Sequence, residues 1–405
     1  MHKLESKKEA SQLCFLLTFV YMVSYITRTN FSAIVSEMVT ATGFAKSQLA
    51  LPLIGSFITY GVGQLLSGVL GDKISPKRLV SIGFLGTVVV NALIPFCPNH
   101  WWMLGVWSLN GFAQAMMWPP IVRIITSSFA GDACKKTMTT VSCGGHVGTI
   151  LIYLSAPLVI WLAGWKGVFI GSAIIGAVML VVWEFVAKDV AVETQEQKTQ
   201  NQKTPVKMLL SPLMLMIFFA IILMGTLREG VSAWMPTFIS DSFHLGNEIS
   251  ILTGVLLPVF SILCLRFANW LYRKVITHPI LCAGALFGIV AFAAFMLFLF
   301  CQSSIVVSVL SIATVFGSIS GVNLMLIGMI PTFFAKRGAV STVSGALNFF
   351  TYVGSAISTY GIAALSEGIG WSNTFLIWIF VALAGGSVCL LCIKSWNSTF
   401  GNDEK

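Results

Sequence analysis

KDVAVETQEQKTQNQKTPVKML, residues 188–209, is the only extended polar stretch in a chain of 405 residues. It is rich in Gln and Thr, charged and without periodicity, so it reads as a flexible linker. Long apolar runs flank it. Six precede it, at 11–36, 46–71, 79–97, 101–128, 138–163 and 167–187, and six follow, at 210–237, 247–269, 278–301, 304–332, 338–366 and 371–393. A bilayer crossing needs ~20 mostly apolar residues, and each run is of that order. The predicted organisation is an N-terminal six-helix bundle over 1–187, a cytoplasmic linker over 188–209 and a C-terminal six-helix bundle over 210–405.

Composition supports this. Hydrophobic residues make up 56% of the chain and charged residues 10%, with a mean hydropathy of +0.88. Soluble domains carry roughly 25% charged residues, which excludes a soluble globular fold. Within lipid the backbone is satisfied only by helices or closed barrels, and these runs are too long and continuous for barrel strands. The expected fold is an all-α membrane protein of twelve transmembrane helices.

The net charge of +9 does not form a nucleic-acid surface, because the cations are short punctuation between apolar runs. Lys3, Lys7 and Lys8 precede the first span; Lys73, Lys77 and Arg78 follow the second; Lys135 and Lys136 the fourth. Lys188, Lys198, Lys203 and Lys207 follow the sixth, Arg273 and Lys274 the eighth, Lys336 and Arg337 the tenth, and Lys394 and Lys405 the last. With twelve spans all of these lie on one side, and the opposite side holds little beyond Lys46 and Lys166. The positive-inside rule then places both termini in the cytoplasm. The first apolar run reads as an uncleaved span rather than a signal peptide.

Two arginines stand out inside apolar runs, each in the first span of its half: Arg28 in the first span and Arg228 in the seventh. An ionised side chain at that depth is costly, and it ordinarily faces a cavity, a partner or a ligand. The two are 200 positions apart, each in the first helix of its half. That symmetry suggests one site built from both halves, and two guanidinium forks suggest a phosphate. The competing readings are a structural ion pair or snorkelling to the interface. Snorkelling suits Arg28, which lies ~25 Å along its helix from the cytoplasmic start.

Several neighbours extend the candidate site. Tyr21, Tyr25 and Arg28 recur at four and three residues, on one helix face. Tyr25 and Tyr60 are candidate hydroxyl donors to substrate. Trp118 precedes Pro119 and Pro120, which must kink or interrupt the fourth helix, and Arg123 serves the cytoplasmic end of that helix by an ion pair or lipid contact. Glu229, beside Arg228, either screens that charge in the empty site, takes part in proton linkage, or points aside. For His146, a helix-packing hydrogen bond and a substrate contact both remain open. The run GGHVG (144–148) follows no strand, so it reads as close helix packing rather than nucleotide binding. Cys389 and Cys392 form a C-x-x-C with no nearby His or second pair, which reads as packing. No Walker motif, metal cluster or Ser/His/Asp arrangement appears, so neither an enzyme nor a cofactor is expected.

The loop GVLGDKISPKR (68–78) resembles the signature loop of the major facilitator superfamily, with Ser75 where glycine is usual. Gly68 permits close helix approach, while Asp72, Lys73 and Arg78 can latch one conformation at a helix end. The alternative is that the cations only set topology. The corresponding NWLYRK (269–274) lacks the acid.

YITRTNF (25–31), NGFAQAMMWPPIVRII (110–125) and LREGVSAWMPTFI (227–239) resemble the organophosphate–phosphate antiporter family within that superfamily. VSCGGHVG (141–148) and MLIGMIPTFFAKRGAVSTVSG (325–345) extend the resemblance along nearly the whole chain. It implies two six-helix bundles related by pseudo-two-fold symmetry. It further implies exchange of a phosphorylated small metabolite (a sugar or glycerol phosphate) for inorganic phosphate, by rocker-switch alternating access in the inner membrane. Residues matching the family's site are Arg28 and Arg228 for phosphate, with Tyr21, Tyr25, Tyr60, Trp118 and Tyr352 around them. Three departures stand out: Gln64 replaces a lysine, Gly145 falls where a histidine is usual with His146 one place later, and Ala233 replaces an acid. The remaining alternatives are a membrane sensor of a phosphate ester and a symporter of organic carboxylates. Membrane lipid is the expected surrounding and a monomer the expected state.

Overall fold

The computed structural model describes residues 7–187, 209–243 and 247–400, so residues 188–208 of the linker lie outside the described residues. All regular structure within the described residues is helical. The helices are α1 (Lys7–Ala33), α2 (Val35–Thr42), α3 (Lys46–Lys73), α4 (Pro76–Leu93), α5 (His100–Gln114) and α6 (Trp118–Ser128). There follow α7 (Gly131–Val186), α8 (Pro212–Phe243), α9 (Asn247–Lys274), α10 (Pro279–Phe300), α11 (Ile305–Asn323) and α12 (Val340–Phe400). A π-helical stretch (Leu324–Met329) and a 3-10 stretch (Ile330–Arg337) extend α11.

The twelve apolar runs map onto these helices. Two helices each hold two spans. In α7 the chain turns at Gly164 (φ 68°, ψ −179°), and in α12 at Gly370 (φ 79°, ψ 167°). Such angles strain any residue with a Cβ, so glycine marks both junctions. Eight helices of the described residues are, by length and composition alone, able to cross a membrane. Large apolar side chains such as Phe185 (87% exposed) and Trp161 (79%) face outward, as lipid-facing residues must.

The fourth run, 101–128, is divided into α5 and α6 rather than kinked within one helix. Pro119 and Pro120 have no N–H, so the carbonyls of Ala115 and Met116 lose their donors four residues on. The prolines instead open α6, where a missing N–H costs nothing. Gln64 Nε2 on α3 donates to the Ala115 carbonyl at 3.3 Å.

By its internal packing the described chain forms two units: Met1–Gln200 with Phe334–Phe349, and Asn201–Phe333 with Phe350–Lys405. In the first, a cluster of Phe31, Trp107 and Phe169 closes one end. Phe31 lies 5.1 Å from Trp107 and 5.7 Å from Phe169 between ring centroids. Beyond it α1 stops at Ile34, and α2 ends at Gly43 in the left-handed conformation (φ 73°). Cys389 and Cys392 are buried and free, in keeping with packing.

Candidate functional site

In the first unit α1 and α7 press together through glycines. A Cβ on Gly144 would meet the Thr18 carbonyl oxygen at 2.7 Å, and one on Gly148 would meet Tyr25 Cβ at 3.1 Å. In lipid, where apolar burial does not drive helix association, small residues of this kind permit close backbone packing. At Gly145 a Cβ would lie 2.9 Å from Tyr25 Cε2 and 3.1 Å from Tyr21 Cε1. The position at which the resemblance puts a histidine is therefore filled by the edges of two tyrosine rings.

Those rings lead to Arg28. The Tyr21 and Tyr25 hydroxyls are 3.4 Å apart, and Tyr21 packs on Trp118 at 4.9 Å between centroids. The Arg28 guanidinium carbon lies 4.0 Å over the Tyr60 ring of α3 and 5.6 Å from the Tyr25 centroid. A half-buried cation over an aromatic face gains ~0.5–2 kcal/mol, which offsets part of the cost of the charge at this depth. Trp118 is buried, and its indole N–H has no hydrogen-bond partner among the described residues. His146 is half-buried on α7, turned by about 100° from Gly145 in the helix.

In the second unit Arg228 on α8 lies 5.9 Å from the Tyr352 ring of α12. Glycines again bring the two helices together. A Cβ on Gly225 would meet Thr351 Cα at 3.2 Å, and one on Gly354 the Thr226 amide nitrogen at 2.9 Å. Thr226 Oγ1 donates to the carbonyls of Ile222 (2.9 Å) and Gly354 (3.2 Å), and Phe218 stacks on Phe350 at 4.2 Å. The side chain of Glu229 lies outside the described residues, as does that of Ala233.

The loop at the end of α3 forms a defined contact within the first unit. Asp72 Oδ1 accepts from the Ser341 amide at 3.0 Å, and Oδ2 accepts from the Thr342 amide at 2.7 Å. The carboxylate thus caps the first turn of α12, where backbone donors have no helical acceptor and negative charge is favoured. Gly68 makes the approach possible: a Cβ there would meet the Ser341 carbonyl oxygen at 2.7 Å. Arg123 caps α3 itself, donating to the carbonyls of Gly71 and Ile74, and its charge also attracts the Asp72 carboxylate, in line with the ion pair that was one of the two contacts expected from the sequence. Lys73 and Arg78 are exposed and take no part in the cap, while Lys77 pairs with Glu184 at 3.8 Å. Reading the sequence missed the capping role of Arg123 and the bond from Gln64 to α5. The signal for the second was Pro119, whose missing N–H implied a carbonyl in search of a donor.

The profile of the Major Facilitator Superfamily matches residues 17–359. The chain belongs to this superfamily. The resemblance to its organophosphate branch is borne out by curated relatives. "Membrane sensor protein UhpC" of Escherichia coli K12 is 22% identical, over 93% of this chain and 90% of that protein. "Probable hexose phosphate transport protein" of Chlamydia muridarum is 22% identical over 96% and 91%. "Glycerol-3-phosphate transporter" of Bacillus subtilis is 24% identical over 93% and 90%. Among solved structures, the proton:xylose symporter XylE matches with a TM-score of 0.76 at 12% identity, covering 97% of this chain and 96% of that one. The transporter FucP matches with a TM-score of 0.75 at 12% identity, over 94% and 98%. This major facilitator protein is therefore a membrane transporter, not an enzyme, and is related to sugar-phosphate and glycerol-phosphate transporters.

Proposed function

We infer that the protein exchanges a phosphorylated small metabolite, of the sugar phosphate or glycerol phosphate class, for inorganic phosphate by alternating access. The observation that carries this is Arg28 held over Tyr60 and beside Tyr25 within a membrane-spanning helix. Arg228 with Tyr352 repeats that chemistry in the second half of the sequence. A guanidinium offers bidentate, planar donors that match a phosphate better than a lysine does. Each arginine is proposed to bind phosphate, one in each six-helix half, 1–187 and 210–405, joined by the linker 188–209. Tyr25, Tyr60, Trp118, Tyr352, His146 and Glu229 are the proposed surrounding residues, and the Asp72 cap is the proposed latch. The cation distribution supports cytoplasmic termini in a bacterial inner membrane.

Exchange rather than one-way flux follows from charge. An empty site with two cations reorients poorly, while a bound dianion neutralises it and lets the protein cross between states. Purified protein in liposomes tests this through counterflow of labelled phosphate. Arg28→Lys and Arg228→Lys are each expected to lower exchange at least ~100-fold although the charge is kept, since the fork is lost. Wild-type exchange in both variants would sink the reading. A second reading, a sensor of phosphate esters, is favoured by the relative named as a sensor. It predicts tight ligand binding with negligible counterflow in the same preparation.

A further inference from the structure

Six polar side chains are buried together beside Arg28: Thr27 and Asn30 on α1, Thr87 and Asn91 on α4, and Asn110 and Gln114 on α5, none more than 2% exposed. Their bonds are reciprocal. Asn91 Nδ2 donates to the carbonyls of Thr27 (3.1 Å) and Thr87 (2.9 Å), and Asn110 Nδ2 donates to the same Thr27 carbonyl at 3.2 Å. Asn30 Nδ2 donates to Asn91 Oδ1 at 2.6 Å, and Asn30 Oδ1 accepts from the Phe31 amide at 2.9 Å. Gln114 Nε2 donates to the hydroxyls of both Thr27 and Thr87 at 2.9 Å, and the Thr87 hydroxyl donates to Asn110 Oδ1.

Apolar side chains would fill this seam with no group to satisfy, so packing alone does not explain six polar ones. None of the six titrates, so the cluster neither neutralises Arg28 nor relays charge by ionising. What it supplies is direction. Two amides, from α4 and α5, converge on one α1 carbonyl, and a third bond from α5 reaches the hydroxyl of the same residue. That fixes the rotation of α1 about its own axis at Thr27, and Arg28 is the next residue. With Cα about 2.3 Å from the axis and the guanidinium several Å beyond, a rotation of ~10° moves the charge by on the order of 1 Å. Ligand geometry tolerates shifts of only ~0.5 Å.

We propose that Thr27, Asn91, Asn110 and Gln114 are positioning residues that aim Arg28 at the phosphate, an inference that rests on the exchange reading above. Two measurements on purified protein test it. In Asn91→Leu/Asn110→Leu and in the near-isosteric Thr27→Val, the half-saturation of inorganic phosphate in thermal-shift titration is expected to rise about tenfold, as outer-shell losses do elsewhere. Thr27→Ser, which keeps the hydroxyl, stays within about twofold of wild type. Unchanged phosphate affinity with only a lower melting temperature would show simple structural glue and overturn the proposal. The second measurement needs no ligand. The thiolate of Arg28→Cys attacks a charged methanethiosulfonate in each background, forming a mixed disulfide and releasing methanesulfinate, with modification of that peptide read by mass spectrometry. A rate altered by about fivefold or more in Thr27→Val supports the proposal, and an unaltered rate overturns it. If wild-type protein binds no phosphate, the exchange reading falls, while the thiol-modification rates still decide the role of the network.

Discussion

Replacing Asp72 by Asn perturbs one well-defined contact. The two carboxylate oxygens accept from the amides of Ser341 (3.0 Å) and Thr342 (2.7 Å). Both amides lie in the first turn of α12, where no helical carbonyl precedes them, so their protection from solvent depends on Asp72. Asn keeps one carbonyl oxygen and turns an amide donor toward the other N–H. One charge-assisted hydrogen bond is lost, worth about 1.5–3 kcal/mol. Removing the negative charge from the helix N-terminus adds ~0.3–1 kcal/mol. Solvent screening at this half-buried site reduces the sum to about 2 kcal/mol, or about 30-fold in the local opening equilibrium. Hydrogen–deuterium exchange in detergent micelles reads this directly. The peptide carrying Ser341 and Thr342 is expected to exchange about 30-fold faster in Asp72→Asn, with peptides of α10 unchanged. Exchange within about threefold of wild type would refute the capping argument.

Two other substitutions probe the packing that holds the site. Gly145→Ala puts a Cβ 2.9 Å from Tyr25 Cε2 and 3.1 Å from Tyr21 Cε1. Overpacking of this kind costs ~1–3 kcal/mol, so the melting temperature should fall and phosphate affinity with it. A thermal-shift titration with inorganic phosphate checks both. Gln64→Leu leaves the Ala115 carbonyl without its α3 donor. That costs ~1–3 kcal/mol in thermal unfolding, and Gln64→Met, which likewise offers no donor, should not restore it.

Much of the fold was legible because membrane burial imposes long apolar runs that read without ambiguity. The junctions near Gly164 and Gly370 followed from composition and spacing. The division of the fourth run did not, although its cause was visible: two adjacent prolines free two carbonyls, and only a structure shows that Gln64 takes one of them. Arg28, Tyr25 and Tyr60 were legible as a group through helical periodicity and the family resemblance. The network of Thr27, Asn91, Asn110 and Gln114 was not. Its residues come from three helices, and neutral amides in an apolar run carry no period or motif that announces a partner. For the same reason Gly145 read as a loss of histidine, when in space it is the gap that two tyrosine rings occupy.

The glycines bear on mechanism as well as on packing. Arg28 sits on a helix pressed against α7 at Gly144, Gly145 and Gly148, and Arg228 on one pressed against α12 at Gly225 and Gly354. The residues differ, yet both arginines are carried on helices whose backbones touch a neighbour. Rotating or sliding either helix within its own unit would break close van der Waals contacts that lipid cannot replace. These close contacts restrain sliding of α1 and α8, while the bonds at Thr27 set the rotation of α1 that aims Arg28. Under the exchange reading, a phosphate then cannot drive the change of access by local rearrangement of α1 or α8. A phosphate that favours one access state must bind it better, since a ligand shifts an equilibrium only by as much as its affinities for the two states differ.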